Sequence, residues 1–406
     1  MRRPGPEVPS PELDPRSGRN AGGTSDRVDV PDPATPSEGW MNRALELAAR
    51  GRCGASPNPM VGAVVVDANG ALIGEGFHAA FGGPHAEVAA LAEAGHGARG
   101  GTLYVTLEPC SHHGKTPACV DAILAAGIRR VEIALADPTP KAGGGADRLR
   151  AEGVEVHEGT GSEQSRSLNR RWLHWAKFHR PWVTLKAAVS MDGKVATREG
   201  DSMWITGEAA RNRGLELREE HDAILVGVET VLADDPRLTR RLGLNPVRGW
   251  RRVVLDSTLR TPTDAVVVRD EPEITLIIHT VEASADDRRR LRDAGVELVE
   301  LRAGDDGRVD LEAVLDFLGR REFAALLVEG GPTIHGSFSD AELVDEIALF
   351  MAPFLIGGAA PSAVAGRGIA TLEAAQRLCF EAIDRHGDDF EIRAVRCEEA
   401  DVHGAD

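Results

Sequence analysis

The strongest constraint on the fold is an alternation of β-rich and helix-patterned stretches that is interrupted at Pro181 and then starts again. Such alternation calls for a sheet with covering helices, and its restart calls for two of them. Before the break, residues 40–50 return apolar side chains every three or four positions, which predicts a helix closed by Gly51. VGAVVVDANGALIGEGFH reads as a hairpin turning at Ala68-Asn69-Gly70. Helices over 85–94 and 117–126, closed by Gly95 and Gly127, alternate with strands TLYVTLEP and VEIALA, and 162–179 reads as helical. From WVTLKAAV onward, strands are predicted at 223–228, 252–256, 274–279, 296–301, 323–329 and 344–351. Helices are predicted at 207–219, 285–294, 309–319 and 333–341. The predicted organisation is a disordered Pro/Gly/Ser-rich extension over 1–39, a first domain over 40–180, a second over 181–395 and a frayed acidic tail over 396–406.

Composition narrows the partners. A formal net charge of −17 argues against a broad nucleic-acid or anionic-membrane surface. With aromatics at 4%, base-stacking platforms are scarce as well. An anionic small substrate remains compatible, provided basic residues gather at its site. No apolar h-region follows Arg2 and Arg3, and no apolar run is long enough to span a bilayer. The five cysteines are odd in number and widely spread, a poor disulfide framework that suits a reducing cytosol. Cys53, Cys379 and Cys397 are expected to have packing roles.

His85-Ala86-Glu87, Pro109-Cys110 and Cys119 carry the first domain's chemistry. One imidazole and two thiolates would hold zinc and leave a fourth position for water, whose pKa the metal lowers. Glu87, two residues from His85, can carry protons between that water and a leaving amine without binding the metal. His85 and Cys119 are each predicted near the start of a helix, and a helix N-terminus favours thiolate. H-x-E followed by P-C and a second Cys is the zinc-deaminase signature, whose common form is Cys-x-x-Cys. Here eight residues, SHHGKTPA, separate the cysteines. A structural zinc site completed by His112 or His113, or two unrelated thiols, are the alternatives.

In the second domain no GxGxxG follows a strand. LLVEGGPTIHGSF does place Gly330-Gly331 between a strand and a helix start, where backbone N–H groups can meet a phosphate. An ordinary strand-to-helix turn would use the same glycines.

The run TLEPCSHHGKTPAC, preceded by PHAEVAAL and SPNPMVGAVVV, resembles the deaminase half of the bifunctional riboflavin-biosynthesis deaminase/reductases, which carry this longer Cys–Cys interval. VTLKAAVSMDGKVA, GDSMWIT, GVETVLADDPRLTRR and VEGGPTIHGSF resemble motifs of that family's reductase half. The resemblance spans about residues 40–395. It implies an α/β architecture: a cytidine-deaminase-like zinc domain followed by a dihydrofolate-reductase-like domain. It also implies one zinc ion per chain, NADPH, and phosphorylated pyrimidine substrates. The first, a ribosylated diaminopyrimidinone 5′-phosphate, would be deaminated, and the ribosyl group of the product would then be reduced to ribityl. Asn58, His78, His112 and Lys115 are implied substrate contacts of the deaminase. Ala188, Trp204, Thr230, Asp234, Ser257 and the run Gly331, Pro332, Thr333, Ile334, His335, Gly336 and Ser337 are implied NADPH contacts. Ser202, Arg218, Leu238, Arg241 and Glu329 are implied reductase substrate contacts, with Lys186 and Asp192 lining the same cleft. Without that context Lys115 would read as a solvated loop cation, Trp204 as core and Arg218 as a surface pair. A cytoplasmic location is expected, and related proteins suggest a homo-oligomer. The competing functions are another zinc deaminase acting on a nucleoside or tRNA base, and a non-catalytic zinc-stabilised binding module.

Overall fold

The computed structural model describes residues 36–112, 118–140, 142–244 and 249–397. The first unit contains α1 (Pro36–Ala49), β1 (Gly62–Val66), β2 (Leu72–Phe77), α2 (Ala86–Ala94), β3 (Thr102–Val105), α3 (Cys119–Ala126), β4 (Arg130–Ile133), α4 (Gly145–Ala151) and β5 (Glu155–Glu158). Among the described residues the sheet order is β2-β1-β3-β4-β5, with β1 antiparallel to β2 and β3, and β3, β4 and β5 mutually parallel. Successive side chains of a strand point to opposite faces, and both faces of β1 are covered. Ala63 and Val65 pack with α2 and α3 through Ala90 and Ile123, while Val64 and Val66 pack with α1 through Met41 and Leu47. That double burial explains the unbroken apolar run GAVVV. The expected extension over 1–39 is too long by four residues, because α1 already begins at Pro36; the rest of it lies outside the described residues. So does the tail beyond residue 397.

The expected helix over 162–179 is two helices, α5 (Ser162–Leu168) and α6 (Arg170–Phe178). They break at Asn169, whose side chain is engaged elsewhere. The Met60 N–H donates to Asn169 Oδ1 at 2.7 Å, and Asn169 Nδ2 donates to the Met60 carbonyl at 2.9 Å.

The second unit contains β6 (Trp182–Ser190), α7 (Glu208–Glu219), β7 (Ala223–Gly227), α8 (Val228–Asp234), β8 (Arg251–Leu255), α9 (Val266–Arg269), β9 (Thr275–His279), α10 (Ala285–Asp293), β10 (Glu297–Glu300), α11 (Leu311–Arg320), β11 (Ala325–Val328), α12 (Pro332–Asp340), β12 (Glu346–Ala352), β13 (Leu378–His386) and β14 (Asp389–Arg396). Its sheet order is β10-β9-β8-β7-β11-β6-β12-β14-β13 among the described residues. Pairing is parallel from β10 to β12 and antiparallel from there to the β14–β13 edge. Apolar clusters cover both faces of the central strands. No described helix is long and apolar enough to cross a membrane.

The packing role expected for Cys379 and Cys397 is corrected: they form a disulfide joining the start of β13 to the residue after β14, 18 positions apart in sequence. The odd cysteine count concealed it, because the remaining free thiols include two zinc-ligand candidates. Closing a loop of this length restricts the unfolded chain by about 3 kcal/mol. Cys379→Ser is therefore expected to lower the unfolding free energy by about that much. Denaturant melts with and without reductant check this, and identical midpoints for both proteins would count against it.

Buried charges make stability pH-dependent. Burial pushes the His221 imidazole down to about 3, against an ordinary value near 6.5. Burial alone would raise Glu346 and Glu329, but Arg171 beside the first and Arg218 with Lys186 beside the second bring each to about 2. In all three cases the unfolded chain binds more protons than the folded one within the affected window. Stability is thus lost as pH falls from about 6.5 toward 3 through His221, and from about 4.5 toward 2 through the glutamates. Asp345, pushed by burial to about 6, and Glu87 and Asp137, raised by burial, act in the opposite sense, while His174, pushed down to about 4 by burial, adds to the loss. The melting temperature is expected to drop between pH 7 and pH 4; a flat profile there would contradict this assignment.

Candidate functional site

The deaminase-like centre sits where two helix N-termini meet a loop leaving the sheet. His85 is the residue before α2, in extended conformation, and its side chain makes no capping bond. Cys119 is the first residue of α3. Cys110 is placed by packing: α4 starts at Gly145, where an added Cβ would lie 1.8 Å from the Pro109 carbonyl. Glu108 fixes the same corner by accepting from the Asp137 and Ala146 N–H groups at 3.0 and 2.9 Å. The strand expected over 102–109 ends at Val105, which frees Glu108 and Cys110 for these roles.

The ligand atoms of His85, Cys110 and Cys119 all lie within 4.8 Å of one another. His85 Nδ1 is 3.1 Å from Cys119 Sγ and 3.7 Å from Cys110 Sγ. A tetrahedral zinc separates nitrogen and sulfur ligands by about 3.6 Å, so the set fits that ion with a small adjustment. Hydrogen bonding from Cys119, together with His85, lowers the Cys110 thiol to about 4, while the same bond and burial raise the Cys119 thiol, so the pair holds one thiolate ready. A thiolate is what a metal needs. Glu87, in the first turn of α2, is 3% exposed, and burial raises its carboxyl above the ordinary range.

Asn58 and His78 come together beside this centre. His78 Nε2 lies 3.0 Å from Asn58 Nδ2, its Nδ1 lies 3.0 Å from the Pro84 carbonyl, and its ring meets the His85 ring edge-on at 5.6 Å. Donation from Nδ1 to the carbonyl makes Nε2 the acceptor for the amide of Asn58. His112 Nδ1 is sealed from solvent with no partner among the described residues. Lys115 lies outside the described residues.

In the second unit a cleft of about 1500 Å³ opens along β6 and over the C-terminal ends of β7, β8 and β11. That is where parallel sheets hold ligands. Lys186, Ala188, Ser202, Thr230, Asp234, Ser257, Glu329, Gly331, Pro332, Thr333, Ile334, His335 and Ser337 line it. Gly331 precedes α12, whose N-terminus faces the cleft; an added Cβ on Gly330 would meet Ile334 at 2.7 Å. Arg218, itself not among the lining residues, donates twice to Glu329 on the floor, at 2.8 and 2.9 Å, and Lys186 Nζ is 3.7 Å from the same carboxylate.

Several expected contacts are placed differently. Asp192 does not line the cleft: its carboxylate accepts from Ser190 Oγ and from the Ile356 and Gly357 N–H groups, bracing a loop. Trp204 is 69% exposed off the cleft wall, with the Arg211 guanidinium 4.7 Å from its ring centre. Leu238 belongs to a buried core cluster. Arg241 is exposed and reaches Thr239 Oγ1 within its own loop. Gly336 permits close packing instead, since an added Cβ would lie 2.4 Å from the Ala365 backbone. Ser257 lines the cleft while its hydroxyl accepts from the Val309 N–H at 3.1 Å. The sequence reading missed Arg260, Arg308 and Arg367, cations on the cleft wall paired with Glu229, Asp306 and Asp340. They come from three separate loops, so no local pattern groups them.

Comparison with known proteins agrees with both halves. Residues 35–135 match the cytidine and deoxycytidylate deaminase zinc-binding region, and residues 181–390 match the RibD C-terminal domain, more than half of the chain. The riboflavin biosynthesis protein RibD of Bacillus amyloliquefaciens is 43% identical over 360 residues, covering 88% of this chain and 96% of that protein. The chain belongs to the RibD family. RibD of Escherichia coli is 40% identical over 371 residues, covering 88% of this chain and 99% of the other. Among solved structures, Acinetobacter baumannii RibD superposes with a TM-score of 0.80 at 34% identity, covering 89% of this chain and 99% of that one. The diaminohydroxyphosphoribosylaminopyrimidine deaminase/5-amino-6-(5-phosphoribosylamino)uracil reductase of Thermotoga maritima gives 0.77 at 35% identity, again covering 89% and 99%. The RibD fold is therefore shared along nearly the whole described chain.

Proposed function

We infer that this chain is a bifunctional riboflavin-pathway enzyme, a zinc-dependent pyrimidine deaminase joined to an NADPH-dependent reductase. The observation that carries the reading is the convergence of one imidazole and two sulfurs within 4.8 Å, with the buried Glu87 on the adjoining helix turn. A binding module with purely structural zinc has no use for that carboxyl. The substrate is a ribosylated diaminopyrimidinone 5′-phosphate, and its deaminated product is reduced in the second domain, over residues 181–395.

His85, Cys110 and Cys119 would hold the zinc. Bound there, zinc supplies the Lewis acidity that makes water nucleophilic near neutral pH. Glu87 takes a proton at its carboxylate and delivers it to the departing ring amine. The carboxyl raised by burial suits both halves of that transfer. His78 turns the Asn58 amide toward the pyrimidine, and His112 with Lys115 holds the sugar phosphate. In the cleft, the α12 N-terminus with Gly331 to His335 and Ser337 binds cofactor phosphate, while Ala188, Thr230, Asp234 and Ser257 line the rest of the cofactor path. NADPH supplies the hydride. Glu329, held ionised at about 2, orients Lys186 and Arg218 against the substrate rather than donating a proton. Ser202 lies on the same wall. Phosphorylated pyrimidines as partners and a homo-oligomer belong to the same reading; a cytoplasmic setting rests on it too, the Cys379–Cys397 disulfide having removed the cysteine argument for a reducing compartment.

Chelation separates the two halves. Stripping zinc is expected to stop ammonia release from the diaminopyrimidinone ribotide while leaving NADPH oxidation with the deaminated substrate intact, and added zinc should restore the first. Undiminished deamination by metal-free protein would overturn the zinc assignment.

A further inference from the structure

We propose that the reductase domain positions the deaminase's substrate loop, through an ion pair between Arg52 on that loop and Glu220 at the end of α7. The proposal rests on the reading of Asn58 as a substrate contact.

The loop between α1 and β1, residues 50–61, carries Asn58. It is packed without slack against the segment that carries His78. An added Cβ on Gly51 would lie 2.7 Å from the His78 carbonyl, and one on Gly54 would lie 2.1 Å from the Ala79 carbonyl. The Phe81 N–H donates to the Gly54 carbonyl at 2.9 Å, and Asn58 meets His78 as described. A displacement of residues 51–54 therefore carries the Asn58–His78 pair with it.

The outer side of the same loop meets the second domain. Arg52 Nη1 lies 3.7 Å from Glu220 Oε1. The Glu220 carboxylate is itself fixed. Arg213 reaches it at 2.9 Å and Arg171, from the connecting helix α6, at 3.8 Å. Arg213 continues to Glu391 on β14 at 3.1 Å, and Arg171 continues to Glu346 on β12 at 3.2 Å. Side-chain exposure is 8% at Glu220 and 4% at Glu346, so this charge network sits in the body of the reductase domain. Cys53, next along the loop, is half-buried, and its thiol is pushed up to about 11 by burial and by the charges of Glu220 and Glu219.

Glu220 lies two positions beyond Arg218, which holds Glu329 on the reductase floor. One helix end therefore carries a group for each site. Arg52 is about half-exposed, and ion pairs of that kind contribute about 0.2–1 kcal/mol. The effect on the deaminase is correspondingly modest and specific: it acts on how well the loop is placed, not on the metal or on Glu87.

The test uses the full zinc-loaded chain, with the diaminopyrimidinone ribotide as probe. Arg52→Ala and Glu220→Gln are each expected to raise the deaminase KM about 2–5-fold. Deaminase kcat and zinc content should stay unchanged, and amide hydrogen exchange over residues 51–58 should speed up. Arg52→Lys should keep most of the wild-type KM, and the double variant should be no worse than the more impaired single one. If Glu220→Gln fails to fold, Arg52→Ala with its lysine rescue decides the matter from the deaminase side. Unchanged KM and unchanged loop exchange in Arg52→Ala would overturn the proposal, as would effects of the two substitutions that simply add. Asn58→Ala is the control for the underlying reading: if it leaves KM untouched, the loop does not contact substrate and the proposal falls with that reading. A raised KM there, with a silent Arg52→Ala, removes the inter-domain contact alone.

Discussion

Glu87→Gln is expected to lower deaminase turnover by about 10²–10⁴-fold while leaving the chain folded, zinc-loaded and fully active as a reductase. The reasoning is geometric. Glu87 is in the first turn of α2, two residues from the ligand His85, and it is buried. The amide of glutamine fills the same space and keeps a polar atom at the same place, but it cannot accept and return a proton. Zinc content should therefore hold while ammonia release fails. Ammonia release, metal analysis and NADPH oxidation on the deaminated substrate, measured on one preparation, check all three statements. Full deaminase turnover by this variant would remove the proton-carrier role.

Arg218→Ala is expected to have the largest effect on the other half. It removes both hydrogen bonds to Glu329 and leaves that carboxylate with Lys186 at 3.7 Å as its remaining ion-pair partner among the described residues. Breaking one side of a buried ion pair costs about 3–5 kcal/mol, so the reductase domain should unfold at markedly lower denaturant. The Glu329 carboxyl, no longer held near 2, should also titrate upward toward the value burial favours. NADPH oxidation should fall steeply, while deamination is largely spared wherever the chain remains folded. Wild-type denaturant midpoints in this variant would show that the pair adds nothing to stability.

Much of the deaminase centre was legible in the sequence because its chemistry is local. His85 and Glu87 fall within one helix turn, and Cys110 and Cys119 bracket one loop. The two helix starts expected near His85 and Cys119 are present at Ala86 and Cys119. What the sequence did not reveal depends on contacts between distant residues. Glu108 and Gly145, which hold Cys110 in place, look like an ordinary strand end and an ordinary glycine until α4 packs against Pro109. α4 and β5 were missed because GADRLRA and EVHE are short and polar, with little apolar periodicity. α8 was missed because the expected strand over 223–228 takes in its first residue and the short run after it was left unassigned, although it carries Thr230 and Asp234 into the cleft. The β13–β14 hairpin was missed because its outward side chains break alternation: Phe380 and Ile383 are exposed where polar residues would be expected. In the reductase half, a motif shared with a family marks a segment rather than a direction. That is why Asp192, Trp204 and Leu238 belong to expected motifs and are still not among the residues that line the cleft.

The break at Asn169 bears on how the halves can be separated. The Asn169 side chain replaces the strand partner that the Met60 peptide unit lacks, and Met60 is two residues from Asn58. A deaminase fragment cut before residue 169 would leave that peptide's N–H and carbonyl bare at the mouth of its own active centre. The practical border for an autonomous first half therefore runs downstream of α5, and a fragment ending at β5 would be a poorer catalyst for reasons unrelated to zinc.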